Sequence, residues 1–273
     1  MDITLPAFTP IEDTLFLTLC GRALDSRRPR PILGDPIAAP IVDRLGYDCG
    51  RFGLSTSPIL NIAHRAKKLD QIAQGFVSRH PRAVGLDLGA GLDTRIFRIN
   101  APSSVDWYDV DFRAVVEARQ KLLPDRVGAH AVAADLTDPT WLKVVPADRP
   151  AVIVADGLLA FLPPRDMMAL LDRLVDHFPF GEIAFNGYSR FAIWAAKHYH
   201  GTQSVASLIR SPGFDDPHEP ERWNPRLRLV REILLTREPE VAEFPAALRR
   251  FTRLAAHSAA VSRRGTTVLH YSF

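Results

Sequence analysis

The stretch Ala83-Val84-Gly85-Leu86-Asp87-Leu88-Gly89-Ala90-Gly91-Leu92-Asp93-Thr94-Arg95 constrains this chain more than any other. A short, mostly apolar run ends in Gly89-Ala90-Gly91, and an acid, Asp93, follows two residues later. Such a run reads as a strand buried on both faces of a parallel sheet. The two glycines let the backbone turn sharply and let a ligand approach without a Cβ in the way. In an open α/β sheet that turn lies outside the carboxyl end of the first strand, where a nucleotide-like cofactor binds.

The turn narrows the choice of cofactor. A dinucleotide fingerprint requires a third glycine three residues after the second, and Thr94 stands there. A pyrophosphate also prefers a helix N-terminus free of acid, and Asp93 is close by. S-adenosylmethionine carries no phosphate, and nearby acids suit its amine and sulfonium. The pattern favours S-adenosylmethionine over a dinucleotide. A glycine turn without a ligand stays open.

The rest of the chain sets the architecture. Helical periodicity runs over residues 11–24, 36–45 and 59–77, interrupted by two prolines in the segment 25–31. These three helices are expected to cap the cofactor site. Strands are predicted at 105–110, 129–134, 150–155 and 181–188, with helices at 113–123 and 165–178 between them. Strands separated by helices mean a parallel, doubly wound sheet. Residues 190–226, rich in Pro, Gly, His and Trp, read as an insertion. A strand at 227–235, a mostly helical stretch at 240–261 and a strand at 266–273 complete the pattern. The expectation is one α/β domain, Rossmann-like, with a seven-stranded, mostly parallel sheet. Its parts are a helical cap (1–80), a cofactor-binding core (81–189), a substrate-side insertion (190–226) and C-terminal elements that complete the sheet (227–273).

Bulk properties exclude several classes. Lys and Arg number 34 against 31 Asp and Glu, a net charge of +3, which is no nucleic-acid signature. The arginine clusters at 27–30, 249–250 and 263–264 are short and read as solvated surface. Cys20 and Cys49 lack metal spacing and are expected as thiols in a reducing compartment. No metal site is expected. The N-terminus lacks a signal-peptide pattern, and no apolar run reaches about 18 residues, so no membrane partner is expected and the protein reads as cytoplasmic.

Strand tips supply candidate ligand contacts. Asp109 and Asp111 lie at the end of the second strand, on one side by alternation, and Asp111 follows Gly91 by the 20 residues usual for a ribose acid. Asp135 ends the third strand, where its carboxylate could take the exocyclic amine of adenine and the Leu136 amide a ring nitrogen. Asp156 ends the fourth strand, placed for an ammonium group or for capping a helix. Arg65 could fork onto a carboxylate or face solvent. Tyr188, His198, Tyr199, His200 and His218 are weak candidates for a general base. Phe191, Trp194, Tyr199, Phe214 and Trp223 are either packing residues or walls for a flat, apolar acceptor.

Together these residues resemble the leucine carboxyl methyltransferase superfamily, and within it the bacterial polyketide O-methyltransferases of the tetracenomycin type. The resemblance spans nearly the whole chain. It starts at Cys20-Gly21-Arg22-Ala23-Leu24 and Leu33-Gly34-Asp35-Pro36-Ile37-Ala38, and passes through Arg65 and Asp70. Leu88-Gly89-Ala90-Gly91-Leu92-Asp93-Thr94-Arg95 is its most specific element. Tyr108-Asp109-Val110-Asp111, Ala134-Asp135-Leu136 and Asp156-Gly157-Leu158-Leu159-Ala160-Phe161-Leu162 follow in order. Two positions depart from the family pattern: Asp156 replaces a glutamate and Phe161 a tyrosine. Asp156 is one methylene shorter, so its contact could run through water.

The resemblance implies S-adenosylmethionine as cofactor. It implies Arg65 on its carboxylate, Gly89 and Asp156 near its amino-acid end, Asp111 on the ribose, and Asp135 with Leu136 at the adenine. It also implies an O-methyltransferase acting on a carboxyl or hydroxyl oxygen of a small aromatic or polyketide-like metabolite. Carboxyl methylation of a protein C-terminus, a non-catalytic S-adenosylmethionine-binding protein and a nicotinamide-dependent oxidoreductase are the competing readings. The sequence names neither the acceptor nor the oligomeric state.

Overall fold

In the computed structural model, which describes residues 4–198 and 203–273, five strands run parallel. They are β1 (Val84–Leu88), β2 (Asp106–Asp111), β3 (Ala129–Ala133), β4 (Ala151–Ala155) and β5 (Gly181–Tyr188). Strands β6 (Arg228–Leu234) and β7 (Thr266–Ser272) add antiparallel at one edge. The sheet order is β3-β2-β1-β4-β5-β7-β6. The chain starts in the middle, moves outward to β3, then crosses back over β1 to β4. The crevice at that reversal, above β1 and β4, is where such a sheet takes a ligand.

The helices follow in chain order: α1 (Leu15–Ser26), α2 (Ala38–Leu45), α3 (Thr56–Arg79), the single turn α4 (Arg95–Arg98), α5 (Arg113–Leu122) and α6 (Pro164–His177). After β5 come α7 (Arg190–His198), α8 (Gln203–Ala206) and α9 (Glu219–Trp223), and between β6 and β7 lie α10 (Ala246–Ala256) and α11 (Ala259–Ser262). The stretch expected as mostly helical at 240–261 is so, in pieces: Pro245 sets an extended N-cap for α10, and Ser258 opens α11 by accepting from the Val261 N–H.

Helix α3 lays Leu69, Ala73, Phe76 and Val77 against Trp107, Val152, Val154 and Val268 of the sheet. It is therefore a layer of the α/β core, whereas the sequence pattern placed it in the cap. The opposite sheet face is covered by Leu170, Leu171, Leu174 and Val175 of α6. Burying each such Leu or Val stabilises by about 1.5–3 kcal/mol. The cap proper is α1 with α2. Leu15, Leu19, Ile41 and Val42 pack onto Leu92 beside the glycine turn and onto Val115 and Leu122 of α5.

The two cysteines are not thiols. Cys20 in α1 and Cys49, at the head of the short turn Cys49–Phe52, form a disulfide with their Cα atoms 5.5 Å apart. A separation of 29 residues carries no signal for this pairing. It arises because the segment after α2 folds back on α1, with Tyr47 stacked 4.2 Å from Phe16. Among the described residues no helix is long and apolar enough to cross a membrane, and no cluster of His, Cys, Asp or Glu could hold a metal ion.

Candidate functional site

The site begins with the turn after β1. Gly89 and Gly91 adopt φ of +63° and +51°, a region that L side chains disfavour. A Cβ at Gly89 would also stand 3.1 Å from Leu158 Cδ1. Buried arginines hold the carbonyls of the turn. Arg119 Nη1 donates to Gly91 O at 2.7 Å and Asp93 O at 2.9 Å, and Arg22 Nη2 donates to Leu92 O at 2.8 Å.

Beneath the turn lies an ion cluster of Arg22, Arg95 and Arg98 with Asp35, Asp70, Asp87 and Asp93. Arg98 reaches Asp70 at 2.6 Å, Asp93 at 2.8 Å and Asp35 at 3.0 Å. Arg95 reaches Asp93 and Asp70 at 3.2 Å each, and Asp87 at 3.6 Å. Arg22 reaches Asp35 at 3.1 Å. Thr94, at the position of the missing third glycine, donates to Asp35 at 2.7 Å. Burial would raise the carboxyl of Asp93, but Arg98, Arg95 and Arg22 outweigh it and hold the group far below the usual carboxylate range. Asp35 is likewise lowered: burial raises it, and Arg22 and Arg98 more than offset that. Asp87 goes the other way. Burial pushes it well above the ordinary value, with Arg95 opposing and Asp93 adding to the rise.

Above the cluster opens a cavity of about 330 Å³. It brings together Arg65, the turn residues Gly89, Ala90 and Gly91 with Asp93, and the strand-end residues Asp111, Asp135, Leu136 and Asp156. Asp111 lines it while accepting from the Gly91 and Phe112 N–H groups at 2.7 Å each, and burial raises its pKa against those two bonds. Asp135 accepts from the N–H and hydroxyl of Thr137 at 2.8 Å each through one oxygen, and Leu136 follows it on the wall. Ala90 lies between the two turn glycines. Asp93 faces the cavity with its carboxylate already engaged by arginines. Asp109, expected beside Asp111 at the ribose, is not on the wall. Two residues deeper in β2, its carboxylate is taken by Arg119 and by Trp107 Nε1 at 3.1 Å.

Arg65 and Asp156 meet each other. Arg65 Nε lies 2.8 Å from Asp156 Oδ1, both side chains nearly buried, and Arg65 Nη1 donates to the Tyr188 hydroxyl at 3.2 Å. The close approach is an ion pair without hydrogen-bond alignment, so Arg65 Nε and Asp156 Oδ1 remain buried polar atoms with no hydrogen-bond partner. Such atoms carry a cost that a bound polar ligand removes.

Of the candidate bases among the described residues, Tyr188 alone is placed on the cavity wall. Burial raises its pKa, with Arg65 opposing, so its hydroxyl stays protonated as a hydrogen-bonding group. His198 is exposed, with Nδ1 2.7 Å from the Trp194 carbonyl, and His218 is exposed beside Glu221 at 2.9 Å. Neither forms part of the wall. Tyr199 and His200 lie outside the described residues. Among the described residues, the aromatic side chains of the insertion are not on the cavity wall either. Phe191 and Trp194 point outward, and Phe214 packs edge-on against Trp223 in the core. The insertion instead supplies small and aliphatic groups: Ala192, Ile193 and Ala196 of α7, Val205 of α8, and Ile209. An aromatic stripe at helical spacing did not reveal which face turns inward.

Sequence reasoning also missed the near wall. Ile11, Glu12, Thr14, Leu15, Leu17 and Thr18 close one side of the cavity. The apolar residues of 11–24 signalled a packed helix, and Leu17, off the packed stripe, was the one hint of a second contact surface. The roles of Arg22, Arg98 and Arg119 as holders of the turn left no sequence signal.

With this geometry in place, similarity to known proteins becomes informative. The leucine carboxyl methyltransferase family profile matches residues 16–175. The chain is 36% identical over 235 residues to the tetracenomycin polyketide synthesis O-methyltransferase TcmP of Streptomyces glaucescens, covering 86% of this chain and 87% of that one. It is 31% identical to the S-adenosyl-L-methionine-dependent methyltransferase dpfgK of Gibberella zeae, over 81% of this chain and 80% of that one. Its fold is shared with a candidate methyltransferase from Thermobifida fusca, at TM-score 0.54 and 16% identity over 92% and 93% of the two chains. It is also shared with the plantazolicin methyltransferase BamL, solved with SAH, at TM-score 0.51 and 10% identity over 96% and 98%. The dinucleotide alternative left open by the glycine turn is thereby closed. The chain belongs to the leucine carboxyl methyltransferase family and is an S-adenosylmethionine-dependent methyltransferase.

Proposed function

We propose that the protein methylates a carboxyl or hydroxyl oxygen of a small aromatic or polyketide-like metabolite. One observation carries this reading: a single cavity has acids around the glycine turn and an apolar group of Phe161, Ile193 and Ile209 packed together on its wall. The likeness to a tetracenomycin O-methyltransferase supports the choice of oxygen and of acceptor class.

Bound S-adenosylmethionine supplies an electrophilic methyl group on a sulfonium. On this reading Asp111 accepts from the ribose hydroxyls, Asp135 accepts from the exocyclic amine, and Leu136 offers its backbone to the adenine ring. Gly89, Ala90 and Gly91 leave room for the amino-acid end. Arg65 faces its carboxylate and Asp156 its ammonium, so the zwitterion complements the pair and gives Arg65 Nε and Asp156 Oδ1 partners they lack. Asp93 supports that end from below, through the turn it anchors. Tyr188, held by Arg65 and packed with that apolar group, presents a protonated hydroxyl and would orient the acceptor oxygen about 3 Å from the methyl carbon and in line with the sulfur. A carboxylate acceptor is ionised at neutral pH and needs no base, whereas a phenol near pKa 10 gains from one.

The test is incubation with S-adenosylmethionine and matched polycyclic aromatic acids and phenols, with mass spectrometry for the gain of one methyl. An alkali-labile ester identifies carboxyl transfer and an alkali-stable ether hydroxyl transfer. Methylation only of a peptide C-terminal carboxylate, or donor binding with no transfer to any acceptor, would replace the reading.

A further inference from the structure

Helices α7, α10 and α11 carry five of the nine large hydrophobic residues that stand exposed among the described residues: Phe191, Trp194, Phe251, Leu254 and Val261. Phe251 and Leu254 are 72% and 71% exposed, more than any of the others except Val127. In α10 they share a helical stripe with Ala247, while Leu248 on the inner side packs toward Leu60 and Ile32. Arg250 and Arg253 flank that stripe and are exposed. Beyond α11, the guanidinium of Arg264 lies 5.3 Å from the ring centre of Phe191, which joins the outer surfaces of α11 and α7.

The chain segments that carry these residues are basic, and the acids that approach them are Asp215, 4.0 Å from Arg190, and Glu232, paired with Arg263. No Asp or Glu occurs in residues 244–273 or in residues 190–214. The same segments hold Arg190, Lys197, Arg249, Arg250, Arg253 and Arg264.

We propose that this face rests on the surface of an anionic lipid bilayer, with the aromatic and leucine tips at the headgroup boundary and the arginines against lipid phosphates. The contact is peripheral, since no helix here is built to span. Charge complementarity selects an anionic surface. A second copy of the chain is disfavoured, because a twofold contact would set arginines against arginines. The apolar side chains stand as two small groups, Phe191 with Trp194 on α7 and Phe251 with Leu254 on α10, outside the donor cavity, and do not form the pocketed patch that a rigid protein partner fills. A bilayer boundary accepts such side chains one at a time, and an amphipathic helix with arginines beside Phe and Leu is suited to lie in it. Helix α7 connects this face to the active site, because Ala192 and Ile193 line the cavity while Phe191 and Trp194 face out.

The inference is independent of the acceptor's identity. Its test is co-sedimentation of the full chain with vesicles of phosphatidylcholine alone or mixed with phosphatidylglycerol. Binding to the mixed vesicles, weak binding to phosphatidylcholine alone and release by salt are expected. Arg250→Glu with Arg253→Glu should lower partition by more than about ten-fold, since each cation near such a surface contributes about five-fold. Phe251→Ser with Leu254→Ser should lower it by about ten-fold or more. Unchanged S-adenosylmethionine affinity and unfolding midpoint in both variants would show that the fold is intact. Absence of binding to anionic vesicles, or binding that neither variant weakens, overturns the proposal. So does sedimentation velocity showing a dimer that these substitutions dissociate, or capture by polyglutamate in place of vesicles.

Discussion

Two groups of aspartates lie within a few ångströms of the same turn, and their surroundings make them different chemical objects. Asp35, Asp70, Asp87 and Asp93 are enclosed with Arg22, Arg95 and Arg98, each within 3.6 Å of at least one guanidinium nitrogen. Asp111, Asp135 and Asp156 sit at strand ends on the cavity wall, held by backbone N–H groups, a threonine or a single arginine. The first group shapes the turn and the second faces whatever the turn receives.

The two groups should respond differently to substitution. Asp93→Asn removes a charge shared by three buried guanidiniums and should cost about 3–5 kcal/mol of stability, read as a lowered thermal midpoint. A cost under about 1 kcal/mol would show that the cluster is not what holds the turn. Asp111→Ala should weaken S-adenosylmethionine binding by about 10- to 100-fold in calorimetry, the loss of hydrogen bonds to a charged acceptor, with a smaller fall in midpoint than Asp93→Asn. If the stability loss is the larger effect at Asp111, the distinction between the groups fails.

pH separates them further. Asp35 and Asp93 have folded-state pKa values below the unfolded value of about 4, so their stabilisation is complete above that value and is lost as pH falls through the folded values. Asp111 is raised by burial, so its own effect on stability has the opposite sign: the folded state keeps a proton that the unfolded state has released. On the proposed reading the charged form of Asp111 is the one that accepts from ribose. On acidification, donor affinity should therefore fall before the unfolding midpoint does, and Asp111→Asn should remove the affinity step while leaving the midpoint profile. Parallel calorimetry and thermal unfolding over one pH series decide this. The smallest effect is expected at His198, where replacement by Ala at an exposed position off the cavity should change turnover by less than about two-fold.

Much of the core was legible because it is written in local patterns. The apolar runs of β1 and β4, the amphipathic repeat of α6 and the Gly-x-Gly turn each announce themselves within a few residues. Asp111 and Asp135 followed from strand-end logic alone. Arg65 and Asp156 were identified one by one as contacts for opposite ends of a zwitterion. Their 2.8 Å approach to each other, across 91 positions of chain, was not legible. The disulfide and the outward aromatics of α7 were missed for a related reason. Each depends on which neighbour packs against a residue, and composition does not encode that.

The order of residues along the chain was enough to establish a doubly wound sheet, a glycine turn suited to S-adenosylmethionine and the strand tips that surround it. Those features follow from periodicity and backbone sterics, which act over a few residues. The partner of each charge came only with the packed fold: Asp93 and Asp109 to arginines, Asp111 and Asp135 to the cavity. Electrostatic pairing is settled by distance in space and by burial, and both are properties of the assembled layers.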